Sequence, residues 1–418
     1  MMKVTSNLMK ALALSALLVC GGAVVATGYA ADAEKKEEPK VSKAVAKPLK
    51  AAQDALTAKN YPEALTKLQE VQNISGKSPY DEHVMNELLG VTYVRQNQFV
   101  EAAKFLEPGL NSGFLAESEV PNRVRALAQV NYQIKNYDKA IEFGSRAVKG
   151  GFADDDMYTL VGQAYYIKGD YKGSQKFLSD YIDSQVKSGK QPKEQTLQLL
   201  MSSCVKQDDS ACTTSSLEEL VAYYPKTEYW QNLLYSMFSQ QGQTDKSLLQ
   251  VYRLATEVDV LKRPEDYTEF AQLAIEAGSP GEAVSVLEKG IQKNVFTDAR
   301  LLERAKRLLD SAQKQAATDK STLDKVASDA AAAKTGQKDV GVGLAYLSYK
   351  DYAKAYEAFE RGLSKPGVQN EAEARLMLGI AALGAGKKED AQKAFKAVKG
   401  DPKLERIANL WSLHARQA

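Results

Sequence analysis

Histidine is almost missing from this chain. Its two copies, His83 and His414, stand far apart, which leaves no histidine set for a metal centre or for acid–base chemistry. Cysteine is scarce too, and Cys20, Cys204 and Cys212 match no zinc or redox spacing. A glycine-rich phosphate loop is absent. Gly21-Gly22 and Gly150-Gly151 are isolated pairs, and Gly341-Val342-Gly343 lacks the third glycine and the strand–helix context. Asp154-Asp155-Asp156 lacks the alternating oxygens and terminal Glu of a calcium loop and reads instead as a cap on the following helix. Catalytic, cofactor-binding and metal-binding residues are therefore none, and the chain reads as a non-enzyme.

Charge of one sign is lacking as well. Lys and Arg number 55 against 53 Asp and Glu, and Lys3 and Lys10 carry all the charge before Ala31, so the rest is balanced. A protein that grips nucleic acid needs spare cations to displace counterions, so nucleic acid is excluded as a partner. The apolar run Ala11 to Ala26 has 16 residues, short of the roughly 20 that span a bilayer. Preceded by Lys3 and Lys10 and followed by Gly28-Tyr29-Ala30, it has the order of a signal peptide over residues 1–30. Two other readings remain: a lipid-bearing Cys20 after Leu17-Leu18-Val19, and an uncleaved anchor. Each leaves the bulk of the chain exported and periplasmic, in contact with a membrane only through the N-terminus. In that oxidising setting Cys204 and Cys212 are a possible disulfide; the alternative is two small buried hydrophobes.

What the chain does have is repetition. After a polar linker at 31–46, one phrase recurs: an aromatic residue or Pro, two residues, a small residue, then an apolar helix. The copies are Asn60-Tyr61-Pro62-Glu63-Ala64, Gln98-Phe99-Val100-Glu101-Ala102, Asn136-Tyr137-Asp138-Lys139-Ala140 and Asp170-Tyr171-Lys172-Gly173-Ser174. Ser279 to Ala283, Asp351 to Ala355 and Lys387 to Ala391 follow. Twelve residues before each closing residue stands another small one: Ala52, Gly90, Ala128, Gly162, Ala271, Gly343 and Gly379. This pattern resembles the tetratricopeptide repeat family, in which a small residue on helix A and one on helix B let the two backbones approach. The resemblance implies an all-α chain: a right-handed α-solenoid of about ten tetratricopeptide-like hairpins plus a C-terminal capping helix. Spacing puts two further copies between 174 and 283, one with Leu197 and Leu200, the other with Trp230 and Leu233. An eighth, degenerate hairpin and hinge is expected at 301–336, with Leu302, Leu308 and Leu309 on its first helix and Leu323 and Val326 on its second. The solenoid thus runs over 47–300 as about seven repeats, and 337–418 holds two repeats and the cap. In that cap Leu404, Ile407, Ala408, Trp411 and Ala415 share an inner face, Lys403, Glu405, Arg406 and Asn409 point away, and Trp411 reads as a lid residue.

The family lines its concave groove with helix A. Carried onto this sequence, the third hairpin offers Asn122, Arg125, Gln129, Tyr132 and Gln133, and the fourth Asp156, Thr159, Gln163, Tyr166 and Ile167. The fifth offers Gln195, Gln198, Ser202, Val205 and Lys206, and the sixth Glu228, Gln231, Tyr235, Phe238 and Ser239. Amides both donate to and accept from a peptide backbone, and tyrosine adds rigid contact area, so the expected occupant is an extended peptide or partner helix. The paired Lys and Asn of a carboxylate clamp do not line up. The function this implies is an envelope scaffold or adaptor for protein partners. Tyr224-Pro225-Lys226-Thr227-Glu228-Tyr229-Trp230-Gln231-Asn232-Leu233 resembles a stretch in periplasmic repeat proteins that accompany TonB-type energy-transducing systems. The alternative is an accessory of envelope polysaccharide or lipid assembly, with Tyr132, Tyr166, Tyr235 and Phe238 as its aromatic stripe. Cleavage after Ala30 predicts an exported chain that begins Ala31-Asp32-Ala33, read by N-terminal sequencing; a lipid-bearing Cys20 or a retained Met1 would overturn it.

Overall fold

The computed structural model describes residues 39–238 and 242–417, and among these it holds twenty helices and no strand. The signal peptide expected at 1–30 lies outside the described residues. Packing divides the chain into two units, Met1–Asp209 and Ser210–Ala418. The first contains α1 (Lys43–Thr57), α2 (Tyr61–Gln72), α3 (Pro79–Arg95), α4 (Phe99–Asn111), α5 (Val120–Gln133), α6 (Tyr137–Lys149), α7 (Asp155–Lys168), α8 (Tyr171–Lys187) and α9 (Glu194–Val205). The second contains α10 (Ser210–Tyr223), α11 (Thr227–Phe238), α12 (Asp245–Glu257), α13 (Pro264–Glu276), α14 (Pro280–Gln292), α15 (Ala299–Ala332), α16 (Gln337–Ser348), α17 (Tyr352–Leu363), α18 (Glu371–Gly384), α19 (Lys388–Lys396) and α20 (Pro402–Gln417).

The recurring phrase turns out to be a loop with a seam behind it. Five residues before each small helix-B residue, the backbone enters the left-handed region: Lys59, Asn97, Lys135, Gly169, Gly278, Lys350 and Gly386 all have positive φ. The next amide reaches back to close helix A, as Asn60 N–H does to the Ala55 carbonyl (2.8 Å) and Asn136 N–H to that of Asn131 (2.8 Å). That same residue then caps helix B: the side chains of Asn60, Asn136, Asp170 and Asp351 accept from the amide three residues on. One short loop so ends one helix and starts the next.

Behind the loop, the small residues sit on the interhelical seam. A Cβ placed on Gly90 would stand 2.5 Å from Leu106, one on Gly162 2.5 Å from Leu178, and one on Gly343 2.9 Å from Phe359. Gly379 meets Phe395 in the same way. The helix-B partners Ala102, Ala140, Ser174, Ala355 and Ala391 are wholly buried. The first unit holds four such hairpins of the tetratricopeptide type, followed by α9, and the second holds three, α13–α14, α16–α17 and α18–α19.

Two expectations fail. Residues 301–336 do not form a hairpin, because α15 is one helix of 34 residues. No Gly or Pro interrupts it, and its Ala, Lys, Gln and Arg residues propagate a helix well. Ala305, Ala312, Ala316, Leu323 and Ala330 bury a narrow stripe against α14 and α16, while Val326, expected in the core, is exposed. The polar linker also ends earlier than 46. Ser42 precedes α1, Val45 is wholly buried, and the periodic face begins there.

The start of α1 is tied down by Asp81, a buried carboxylate on α3. It accepts from the amides of Ser42 (2.8 Å) and Ser78 (2.9 Å), so one side chain serves two helix N-termini. Burial pushes this carboxyl up, but the bonds from Ser42 and Ser78 together outweigh burial and hold it below the ordinary carboxylate range.

At the other end, α20 buries Leu404, Ile407, Ala408, Trp411 and Ala415 as expected, and it does more than cover the last hairpin. It packs on α18 and α19 and also against α10 and α12. Arg406 and Lys403, expected to point away, instead bond Glu218 (2.7 Å) and the Gly242 carbonyl, and Gln417 donates to the Val221 carbonyl (2.9 Å). The charged edge is drawn inward because unfilled acceptors of α10 and the α11–α12 loop lie within its reach.

Two predictions test these contacts. Gly343→Ala is expected to cost about 1–3 kcal/mol by crowding the wholly buried Phe359. Two residues earlier on the same helix, Gly341 has open space around a new Cβ, and Gly341→Ala is expected to add about 0.5–1 kcal/mol. Urea unfolding followed by circular dichroism reads both, and equal shifts would refute the seam. Asp81, whose folded pKa is depressed, adds stability that is complete above the unfolded value near ~3.9 and is lost as pH falls from there through the folded value. Asp81→Asn should lower stability at neutral pH and flatten that acid slope in pH-dependent melts.

Candidate functional site

In the first unit the A helices run side by side, α5 against α7 and α7 against α9. Side chains from their shared face tie neighbours together. Tyr132 Oη donates to Gln163 Oε1 at 3.2 Å, joining α5 to α7, and the hydroxyls of Thr159 and Thr196 share a hydrogen bond of 3.2 Å that joins α7 to α9. Two of the sequence-predicted groove residues thus meet each other directly. Burial pushes the Tyr132 phenol up, so it stays a protonated donor at neutral pH.

Arg125 and Asn122 also meet, through a 2.7 Å hydrogen bond from Nη2 to Oδ1. One turn later stands Gln129. Gln129 Oε1 and Arg125 Nε are both buried and lack hydrogen-bond partners among the described residues. A buried polar atom with no partner costs about 1–3 kcal/mol, so these helices carry an acceptor and a donor that the described residues leave unsatisfied. Tyr166 packs edge-on against Tyr171 at 5.2 Å. Asp156 is engaged by Lys193 (2.8 Å), Gln198 is half-buried on α9, Gln195 is exposed, and Ile167 is an exposed apolar side chain at the end of α7.

The sixth-hairpin set belongs to the second unit and is built differently. Tyr235 Oη donates to Asp266, a buried carboxylate also bound by Arg263 (2.6 Å), and the Arg263 guanidinium lies 4.8 Å from the Tyr235 ring centre. Phe238 stacks on Tyr252 at 4.5 Å, and Tyr252 on Phe270 at 5.8 Å. These rings are committed to one another. Gln231 is half-buried, Glu228 is exposed, and Ser239 lies outside the described residues.

One pair escaped sequence reasoning. Glu87 on α3 occupies the register that Arg125 has on α5, yet it is buried in a two-pronged ion pair with Arg123, one prong at 2.8 Å. Nothing in the sequence singled it out, since α3 also carries Asp81, Glu82 and Arg95. Burial raises the Glu87 pKa despite the guanidinium beside it. Below the pair, Gly109 leaves room that a Cβ would take from the carboxylate.

Asp154 caps α7 by accepting from the Met157 amide at 2.9 Å, and Asp155 accepts from the Tyr181 hydroxyl at 2.5 Å, which accounts for the acidic run. No group of three or more His, Cys, Asp or Glu among the described residues is placed to hold a metal ion. Cys204 is wholly buried at the end of α9, Cys212 is half-buried in the first turn of α10, and both are disulfide-bonded. No described helix is long and apolar enough to cross a membrane.

No protein-family model matches the chain, and no curated protein matches it. Among solved structures it is similar to the C-terminal part of a TPR repeat-containing protein from Cytophaga hutchinsonii, at 13% identity over 63% of this chain and 95% of that one, with a TM-score of 0.34. A tetratricopeptide repeat protein from Parabacteroides merdae follows at 11% identity, 65% and 100% coverage and a TM-score of 0.33. The TPR2AB domain of yeast Sti1, in complex with pHSP90, gives 12% identity, 72% and 100% coverage and a TM-score of 0.25. At such values the description of the hairpins rests on their own geometry.

Proposed function

We propose that this array of tetratricopeptide-type hairpins is an exported, non-catalytic scaffold of the cell envelope that docks protein partners on the A-helix face of its first unit. The observation that carries the proposal is the set of polar and aromatic side chains on that face, where Tyr132 is bonded to Gln163 and where Gln129 and Arg125 each keep one buried atom unsatisfied. An extended segment of a partner offers amides and carbonyls to such side chains once they turn outward. Tyr132, Gln163 and Tyr166 frame the site with rigid rings and an amide already held in place.

Export is supported by the order of residues 1–30, and an oxidising compartment would keep the bonded state of Cys204 and Cys212. A TonB-type partner system rests on the Tyr224–Leu233 stretch alone. In the fold that stretch makes the α10–α11 turn and the start of α11, with Tyr229 and Trp230 buried and Tyr224 half-buried. The polysaccharide or lipid alternative needs one exposed aromatic stripe, whereas Tyr235 and Phe238 are packed within the second unit.

A photo-crosslinking residue placed at Gln129 is expected to trap a protein partner in envelope preparations, and one placed at the exposed Glu142 of α6 is not. The double change Gln163→Ala with Tyr166→Ala should abolish the Gln129 adduct. Equal trapping from both positions, or an adduct that survives the double change, would place the docking surface elsewhere.

A further inference from the structure

Both tryptophans of the chain pack edge-on against one histidine. The His414 ring lies 6.0 Å from Trp411, on its own helix α20, and 6.3 Å from Trp230 of α11, at interplanar angles of 76° and 84°. Its Nε2 stands 3.6 Å from Glu257 Oε1, a contact that becomes an ion pair when the ring takes a proton. Two helices end at this junction. Glu257 is the last residue of α12, and His414 sits in the last turn of α20. The carbonyl end of a helix favours a cation, so both helix ends and the carboxylate work in the same direction on the imidazole.

The other charges nearby are accounted for. Lys289 of α14 and Lys350 of the α16–α17 loop also act on Glu257, but Lys289 is held by Asp259 (2.8 Å) and by the Thr256 carbonyl (3.1 Å), and Lys350 is exposed. On α10 stand Glu218 and Glu219, the first bonded to Arg406, two turns before His414. Arg416 of α20 is exposed, while α18 and α19 bring the apolar Ile380 and Phe395 beside Trp411. The His414 contact, with Lys289 and Lys350, outweighs burial and holds the Glu257 carboxyl below its ordinary range. Glu257 is therefore an anion where histidines change charge, around pH ~6.5. Histidine alone among these residue types ordinarily titrates between pH 5 and 8.

We propose that His414 is a proton-dependent clamp. Charged, it ties the last turn of α20 to the end of α12 through Glu257. Neutral, it loosens that turn, while the Arg406–Glu218 bond keeps the rest of the helix seated. A contact made by the protonated ring stabilises the fold in acid and is lost as pH rises through the range where the ring discharges. Its lower limit is set by protonation of Glu257. The ring is 18% exposed and the carboxylate 50%, so water screens the pair and its effect is modest.

Tryptophan emission reads the clamp, because a charged imidazole quenches an adjacent indole and both indoles adjoin this one. In the full chain the emission should rise in one step between pH 5.5 and 8. His83 belongs to the first unit, which has no tryptophan, so the step is assigned to His414. His414→Phe keeps a ring between the indoles and should abolish the step. Glu257→Gln, at a half-exposed position, keeps the test open should His414→Phe not fold. In thermal melts followed by the same emission, Glu257→Gln should fall below the parent by about 2 °C more at pH 5.5 than at pH 8. The Lys289 and Lys350 contacts are constant over this range and cancel in that difference. Hydrogen exchange of residues 413–417, corrected for its intrinsic pH dependence, should be faster at pH 8 than at pH 5.5 in the parent and unchanged by pH in His414→Phe. A parent without an emission step, a step that persists in His414→Phe, a Glu257→Gln gap that ignores pH, or last-turn exchange that ignores pH would each overturn the clamp.

Discussion

The close approach of paired helices at small side chains is the constraint on which the rest of the molecule depends. Leu106 and Leu178 fill the space that a side chain on Gly90 or Gly162 would need, and Phe359 and Phe395 do the same over Gly343 and Gly379. In these four hairpins the large residue stands four positions after the small helix-B residue, so they repeat one lock: small faces large across the seam, at a fixed register. Where helix A carries Ala128 instead of glycine, the matching position on helix B is Gly144, and the space it leaves is taken by Val161 and Met157 of α7. Packing at crystal-like density makes such exchange of volume across a seam the natural way to keep the spacing. A local lock of this kind needs only its neighbours, which is why a chain of 418 residues builds itself without one large core.

That locality explains what was legible in the sequence. Small residues at near-constant spacing report backbone proximity directly, so the hairpins and the inner face of α20 followed from them. The left-handed loop residue was not seen, because Lys59, Lys135 and Lys350 carry no mark of positive φ. A left-handed L-residue costs about 1–2 kcal/mol, which the loop offsets by closing one helix and capping the next within two residues. The single helix α15 was misread for a related reason. A turn was expected because the gap from Ala283 to Ala355 fits two repeat lengths, but a helix ends at a breaker, and Ala299 to Ala332 contains no Gly or Pro.

The candidate face was legible in position and not in state. Register alone put Tyr132 and Gln163 on the same surface, and the fold joins them. It also placed Tyr235 and Phe238 among the groove residues, where the rings are used up in stacking. Register says on which side of a helix a residue stands; only the neighbouring helix decides whether its polar atoms are spent. Glu87 shows the same point from the other direction, since a groove position there is consumed by Arg123. Gln129 and Arg125 each keep a buried atom without a partner among the described residues, as the Arg123 Nε does beside its ion pair with Glu87.

The terminal helix carries that logic furthest. A stack of hairpins must end somewhere, and a helix with one apolar face is the simplest way to cover the last seam. Here α20 covers α19 and also reaches α10 and α12, pinned by Arg406 on Glu218 and Gln417 on the Val221 carbonyl. Those pins fix the height at which the helix sits. Trp411 is buried there with its indole N–H unpartnered among the described residues, so the edge contacts and the apolar face place this helix, and its central ring takes the position they leave.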